Sequence, residues 1–436
     1  MKKLKILTYG CQMNVADSER MAGLLKEIGY TLTDDFDEAD LLLINTCCVR
    51  ETAEDKAFGK IGELKRLKVK KPSLIFGVTG CMAQKEGENL IKRAPHLDFV
   101  LGTGQINEIA KVVEGIETLH GQVVDVSNVG GKINIEKISP IRAGQVSTFV
   151  PIMYGCDNFC TYCIVPHVRG RVRSRSLESI RAECLQLAAA GFKEIVLTGI
   201  HIGAYGRDFK NSTTLADAVK KVLDTANPVR LRLGSVESAE MTDELIELMK
   251  NDPRICNHVH LPLQSGSDEI LKAMRRPYTT KNFAGLVEKL VKEIPEISIG
   301  TDLIVGFPGE TEKHFDETTN FLQSLPLSKI HVFPFSSRPG TVAAGMKNQI
   351  DSATKKFRTE RVLEIAGAKE KIFAEKFIGR TVEIISETEE DGIFDGLTKN
   401  YVRVFVPASP EIKSGEIIKV RVEKLFRNGI FGELVK

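Results

Sequence analysis

The pattern of short apolar runs limits the fold of this chain more than any other feature. Leu4 to Thr8 is one such run and leads to Tyr9-Gly10-Cys11. Asp40-Leu41-Leu42-Leu43-Ile44-Asn45-Thr46 leads to Cys47 and Cys48, and Ser73 to Gly80 leads to Cys81. Each run is strand-like: short, apolar, and stopped by Gly, Asn or Thr. Helical patterns, Asp17 to Ile28 and Thr52 to Leu67, lie between them. Alternating strands and helices imply a doubly wound parallel sheet. The carboxyl ends of its strands share one edge, where ligands bind. Three cysteines far apart in sequence are therefore expected to meet at that edge.

A second strand–helix series follows a Gly- and Val-rich stretch, 121–144, read as a linker holding a strand. Its strands are expected at Phe149 to Tyr154, Glu194 to Thr198, Arg230 to Leu233, His258 to Pro262, Ser298 to Val305 and Lys329 to Pro334. Helical stretches such as Leu177 to Ala190 and Thr242 to Lys250 separate them. This predicts a full or partial α/β barrel, whose active face lies at the carboxyl ends of its strands. A long charged helix, Ser352 to Phe377, precedes a change of texture. Beyond it, Val382 to Ile385, Val402 to Val406 and Ile417 to Val422 read as strands of a small β-barrel. At 436 residues the chain exceeds one ordinary core. Three domains are expected: 1–120, 140–372 and 373–436.

Composition excludes several classes. No run approaches the ~18 to 20 apolar residues of a membrane span. The charged N-terminus is followed by too short an apolar run for a signal peptide. Cytoplasm is the expected location. Nine cysteines in such a chain point to metal ligands or buried thiols rather than disulfides. A formal net charge of +2 gives no overall basic coat, so any nucleic-acid site must be a local patch.

Cys156-x3-Cys160-x2-Cys163 follows the first strand of the expected barrel. Three thiolates on one loop can hold three irons of a [4Fe–4S] cluster and leave the fourth open to a bound molecule. A zinc knuckle is the alternative, with His167 as fourth ligand. A structural cluster would prefer four protein ligands. Cys184 and Cys256 lie in or beside expected helices, outside any cysteine motif, and read as structural.

The spacing resembles the radical S-adenosylmethionine (SAM) superfamily. Met153-Tyr154-Gly155-Cys156 through Cys163-Ile164-Val165-Pro166 resembles its methylthiotransferase family. So do Gly10-Cys11-Gln12-Met13-Asn14 with Asp17-Ser18-Glu19, Asn45-Thr46-Cys47, Gly80-Cys81-Met82-Ala83-Gln84 and Ile304-Val305-Gly306-Phe307-Pro308-Gly309-Glu310-Thr311. Nearly the whole chain is covered. The resemblance implies two [4Fe–4S] clusters, the second held by Cys11, Cys47 and Cys81, with Cys47 selected over Cys48 by the Asn-Thr-Cys match. It implies SAM as radical source and as methyl donor, and insertion of a methylthio group in place of a substrate C–H. Tyr162, Gly199, Ser235, Glu237 and Gln264 are implied to line the SAM site. Gly and Ser are also ordinary turn residues.

The partner implied is the anticodon loop of tRNA. Arg169, Arg171, Arg173 and Arg175 alternate and, if extended, would form one phosphate-binding ridge. A solvated basic face is the alternative. The C-terminal texture, with Lys419 and Arg421, resembles the TRAM domain, an RNA-binding barrel. The two cysteine contexts resemble the branch acting on N6-isopentenyladenosine. Leu197-Thr198-Gly199-Ile200-His201, Ser235-Val236-Glu237-Ser238 and His331-Val332-Phe333-Pro334 look more like the branch acting on N6-threonylcarbamoyladenosine. The cysteine contexts match together, which selects the isopentenyl branch. An electron donor of reductase or flavodoxin type and a monomeric state are also expected. A non-catalytic iron–sulfur RNA binder and a radical enzyme that only methylates are the competing classes, and the second would not need the N-terminal cysteines.

Overall fold

A computed structural model describes residues 1–48, 51–119, 121–127, 129 and 146–435, with backbone only for 51–53. The first sheet is fully parallel. Its strands are β1 (Lys2–Tyr9), β2 (Tyr30–Leu32), β3 (Leu41–Thr46), β4 (Ile75–Gly80), β5 (Phe99–Leu101) and β6 (Val123–Asp125). They lie in the order β2-β1-β3-β4-β5-β6. Every residue of β3 and β4 is buried, as expected of central parallel strands covered by helices on both faces. β6 carries this sheet past residue 120, the boundary expected from sequence. The rest of the expected linker, apart from residues 126, 127 and 129, lies outside the described residues.

The second unit contains β7 (Ser147–Tyr154), β8 (Arg173–Ser174), β9 (Glu194–Gly199), β10 (Arg230–Leu233), β11 (His258–His260), β12 (Ser298–Val305) and β13 (Lys329–Pro334). Parallel pairings run through β7-β9-β10 and β11-β12-β13. Single parallel bridges, Leu231 to Ile255 and Ser235 to His260, join the two sets. The result is a partial α/β barrel of six parallel strands, with the short β8 antiparallel on one edge. Its core is one apolar cluster running from Val150 to Ala366.

Strands β14 (Thr381–Glu390), β15 (Ile393–Thr398), β16 (Arg403–Pro407), β17 (Ile417–Phe426) and β18 (Gly429–Leu434) close a small barrel. The helix Ser352–Glu375 links it to the core. Phe373, Ala374 and Phe377 at its end pack inside the small barrel, so the helix belongs to both units.

The small barrel docks at the amino ends of the core strands, opposite the cysteine loop. Arg230, fully buried, donates to the carbonyls of Leu397 at 2.9 Å and Glu383 at 3.0 Å. Arg232 pairs with Glu194 at 2.8 Å and donates to the Thr398 carbonyl at 3.3 Å. The Tyr401 ring stacks on His258 at 4.5 Å and lies 4.7 Å from the Arg232 guanidinium.

Candidate active site

The register of the first sheet brings its cysteines together. Tyr9 pairs with Thr46, and Thr46 with Gly80, in one row across three adjacent strands. Cys47 and Cys81 are the next residues of their strands, and Cys11 follows one residue later as the N-cap of helix Gln12–Glu27. Neighbouring strands lie about 4.8 Å apart, so the three thiols share one short edge. Two motif asparagines hold the edge closed. Asn14 Nδ2 donates to Asn45 Oδ1 at 3.2 Å, and Asn45 Nδ2 donates to the Asn14 carbonyl at 2.8 Å. Gly80 has φ +93°, and a Cβ there would sit 2.4 Å from the Thr46 carbonyl oxygen. Only glycine permits this approach.

Cys48 is fully buried in the apolar core under the edge. Its hydrogen bond to Cys81 pushes its own thiol up. That bond, then the charge of Arg169, brings Cys81 down to about 6 against the opposing effect of burial. Arg169 comes from the second unit, at the end of helix Val165–Arg169. It donates Nε–H to Cys81 Sγ at 3.2 Å and pairs through Nη1 with Asp17 at 2.9 Å.

The second triad lies on the loop after β7. At Gly155, φ +74°, a Cβ would stand 1.9 Å from the Arg171 carbonyl oxygen, so the loop passes where no side chain fits. Cys156 Sγ lies 3.6 Å from His201 Nδ1, whose Nε2 is 2.7 Å from Glu240 Oε2. Burial opposes a charge on His201. The hydrogen bonds to Cys156 and Glu240 outweigh it and raise the imidazole to about 9. Burial pushes the Cys163 thiol up to about 12. Arg276 donates to Cys160 Sγ at 3.2 Å and is ion-paired with Glu237. His167 is exposed, and its ring meets Phe159 edge-on at 6.4 Å.

Among the described residues, no three His, Cys, Asp or Glu side chains already stand at metal-ligating positions. What groups the cysteines at two edges is the backbone register. Each triad also has a buried guanidinium on one sulfur, and each guanidinium is paired with one carboxylate. Anionic tris-thiolate clusters fit such donors, because N–H bonds to sulfur stabilise the ligand and set the potential.

The two edges face each other. Thr198, at the end of β9, donates to Gln12 Oε1 at 3.0 Å beside Cys11. Arg20 donates to the Tyr154 hydroxyl at 3.5 Å, and Thr103 donates to the Val168 carbonyl. A cavity of about 860 Å³ opens beside the cysteine loop. Tyr162, Cys163, Gln264, Ile304, Phe335 and Lys355 are among its walls. Gln264 sits at φ +69°. Ser235 is exposed, Gly199 half-buried, and Glu237 is engaged by Arg276.

The expected arginine ridge does not form. Arg169 is buried at the interface between the sheets. Arg175 is buried too, donating to the Pro151 carbonyl at 2.8 Å and pairing with Glu183 at 2.6 Å. Arg173, half-buried, donates to the Arg169 carbonyl at 2.8 Å. Only Arg171 of the four is exposed, against Asp157 at 3.3 Å and over the Phe159 ring. The stretch begins as a helix and passes into a paired strand, so strict alternation never develops. Lys419 and Arg421 are exposed on β17, with Glu383 across the strands from Lys419. Cys184 and Cys256 are buried core thiols. Sequence reading missed Arg276, Arg338 and Lys355, basic residues that belong to no motif: Arg276 follows Arg275 and Lys355 precedes Lys356, as on any solvated surface.

A parallel partial barrel with a three-cysteine loop at its active face defines a radical SAM protein. The Radical SAM superfamily model matches residues 150–322, and the model of uncharacterized protein family UPF0004 matches 3–102. The fold is shared with the radical SAM methyltransferase TsrM from Kitasatospora setae, at TM-score 0.59 and 15% identity, covering 79% of this chain and 77% of that one. It is also similar to the cobalamin-dependent SAM radical enzyme OxsB, at TM-score 0.51 and 12% identity, covering 86% and 56%. Relatives by sequence are more specific. The tRNA-2-methylthio-N(6)-dimethylallyladenosine synthase of Carboxydothermus hydrogenoformans is 41% identical over 98% of both chains. The protein of the same name from Acetivibrio thermocellus is 40% identical over 100% of this chain and 92% of its own. The chain belongs to the tRNA-2-methylthio-N(6)-dimethylallyladenosine synthase family.

Proposed function

We propose that this protein inserts a methylthio group at C2 of N6-isopentenyladenosine (N6-dimethylallyladenosine) next to the anticodon of tRNA. SAM serves both as radical source and as methyl donor. The observation that carries this reading is the pair of cysteine triads at two facing strand-end edges, joined through Arg169. A methylating enzyme alone has no use for the N-terminal triad.

Cys156, Cys160 and Cys163 would hold the cluster that engages SAM, and Cys11, Cys47 and Cys81 the auxiliary one. When bound, the first would supply the electron that opens the sulfonium bond and the second would hold the sulfur that is methylated. The chain's own residues orient these groups. Arg276 fixes Cys160 and Glu237 together, and Glu237 would supply a carboxylate to the ribose of SAM. His201, held by Glu240, fixes Cys156. Tyr162 and Gln264 line the adjoining cavity, where Ile304 and Phe335 supply an apolar wall for a base with an isoprenoid substituent. Residues 1–125 form the auxiliary-cluster domain, 146–372 the radical core, and the C-terminal β-barrel (373–435) an RNA-binding TRAM domain. Its exposed Lys419 and Arg421, with Arg171 on the core, contact the RNA backbone. The protein works in the cytoplasm as a monomer, with a reductase or flavodoxin-type donor.

Anaerobic reaction of the reconstituted protein with reductant, sulfide, SAM and isopentenyl-modified tRNA, followed by nucleoside mass spectrometry, tests the proposal. Cleavage of SAM without methylthio product would refute it.

A further inference from the structure

The cavity beside the cysteine loop carries two cationic groups that nothing in the reading above uses. Arg338 lies in the loop after β13, 4% exposed. Its Nη1 pairs with Glu54 of the N-terminal domain at 2.5 Å, and Glu54 is shared with Lys85 at 3.0 Å. Its Nε and Nη2 are buried and have no hydrogen-bond acceptor among the described residues. A buried guanidinium with open donors is costly unless a ligand completes it. Lys355, from helix Ser352–Glu375, holds its ammonium 5.4 Å from the centre of the Phe335 ring. Among the described residues it has no carboxylate partner. Of the acids of the same cavity, Asp302 stands 3.1 Å from His260, and Glu360 stands 3.9 Å from Lys356, an exposed lysine of the same wall. The cavity thus has an apolar, aromatic wall and two cations left over.

We infer that Arg338 and Lys355 form a subsite for one backbone phosphate of the RNA strand, adjacent to the nucleotide whose base enters the cavity. This rests on the tRNA reading above and deepens it. A planar guanidinium with two free N–H groups matches phosphate oxygens, and an ammonium adds charge without fixing geometry. Because Arg338 also holds Glu54, the same side chain ties the bound strand to the N-terminal domain that carries the sulfur-bearing edge.

The test uses the reconstituted holoenzyme and an anticodon stem-loop containing N6-isopentenyladenosine, with binding read by fluorescence anisotropy. Lys355→Gln is expected to weaken binding about fivefold and to lower the slope of log K against log salt by about 0.7, the loss of one phosphate contact. A stem-loop with a methylphosphonate at one position next to the target should lose more than this with the wild type, and the loss should be smaller with Lys355→Gln, where only Arg338 still meets that phosphate. Arg338→Lys, which keeps the charge but removes the planar fork, should weaken binding at the same linkage while leaving the salt slope nearly unchanged. Additive losses at every methylphosphonate position would overturn the subsite. So would unchanged RNA binding with weakened SAM binding, which would give the cations to the SAM carboxylate. Loss confined to RNA bearing threonylcarbamoyladenosine would also overturn it, assigning them to the substituent. These readouts are of binding, so they fail or succeed independently of whether methylthio product forms.

Discussion

Arg169 of the radical core reaches across to the first sheet and donates a hydrogen bond to Cys81 Sγ at 3.2 Å while paired with Asp17 at 2.9 Å. Both charged side chains are almost completely buried. One guanidinium therefore joins a sulfur of the auxiliary triad, a carboxylate of the first helix and the end of the helix behind the radical loop.

Arg169→Leu removes one partner of a buried ion pair and leaves Asp17 uncompensated. A loss of about 3–5 kcal/mol is expected. Cluster content should fall selectively at the N-terminal site, so iron per chain drops towards one cluster. Arg169→Lys should keep most of the stability but shift the redox potential of the N-terminal cluster. Iron analysis, chemical unfolding and a redox titration check this.

Cys160→Ala should reduce SAM cleavage to background, because it removes a proposed ligand of the radical cluster. Cys81→Ala should leave cleavage intact and abolish sulfur insertion. Quantifying 5′-deoxyadenosine and methylthio nucleoside in the same reactions separates the two. Methylthio product from Cys81→Ala would remove that residue from the auxiliary triad.

Arg230→Ala should loosen the C-terminal barrel, since the side chain is fully buried and donates to two carbonyls of that barrel. RNA affinity is expected to fall more than SAM cleavage, and the radius of gyration from X-ray scattering should rise. An unchanged radius would mean that the aromatic stack at Tyr401 suffices to hold the barrel.

The same interface predicts a pH dependence. Burial, then the charges of Arg232, His260 and His331, holds His258 well below its ordinary range, and its Nδ1 is buried without a hydrogen-bond partner among the described residues. The unfolded chain thus binds a proton below about pH 6.5 that the folded chain refuses, so this site lowers stability as pH falls. The slope approaches about 1.4 kcal/mol per pH unit well below that value. Thermal unfolding between pH 5 and 8 should show a steeper acid-side loss for the wild type than for His258→Phe.

Much of this molecule is written in apolar periodicity. Ser298–Val305, Arg230–Leu233 and Lys329–Pro334 have the ends expected from sequence, because these short apolar runs stop at Gly or Pro turns. The cysteine edge was legible because register follows from strand order. Short strands such as Tyr30–Leu32 and Phe99–Leu101 are too brief to stand out. The arginines show the other limit. Alternation in sequence gave four side chains one face, but the helix ending at Arg169 and the burial of Arg175 divided them. Which cation meets sulfur, carboxylate or solvent is decided by contacts between residues far apart in sequence.

The most direct test of the central claim offers the reconstituted protein two tRNAs under anaerobic, reducing conditions with sulfide and SAM. One carries isopentenyladenosine and the other threonylcarbamoyladenosine, and the digested nucleosides are weighed. Methylthio product on the isopentenyl nucleoside alone is the predicted result. Product on the threonylcarbamoyl nucleoside alone would contradict the substrate assignment and mark the strand-end motifs around His201 and Glu237 as its determinants.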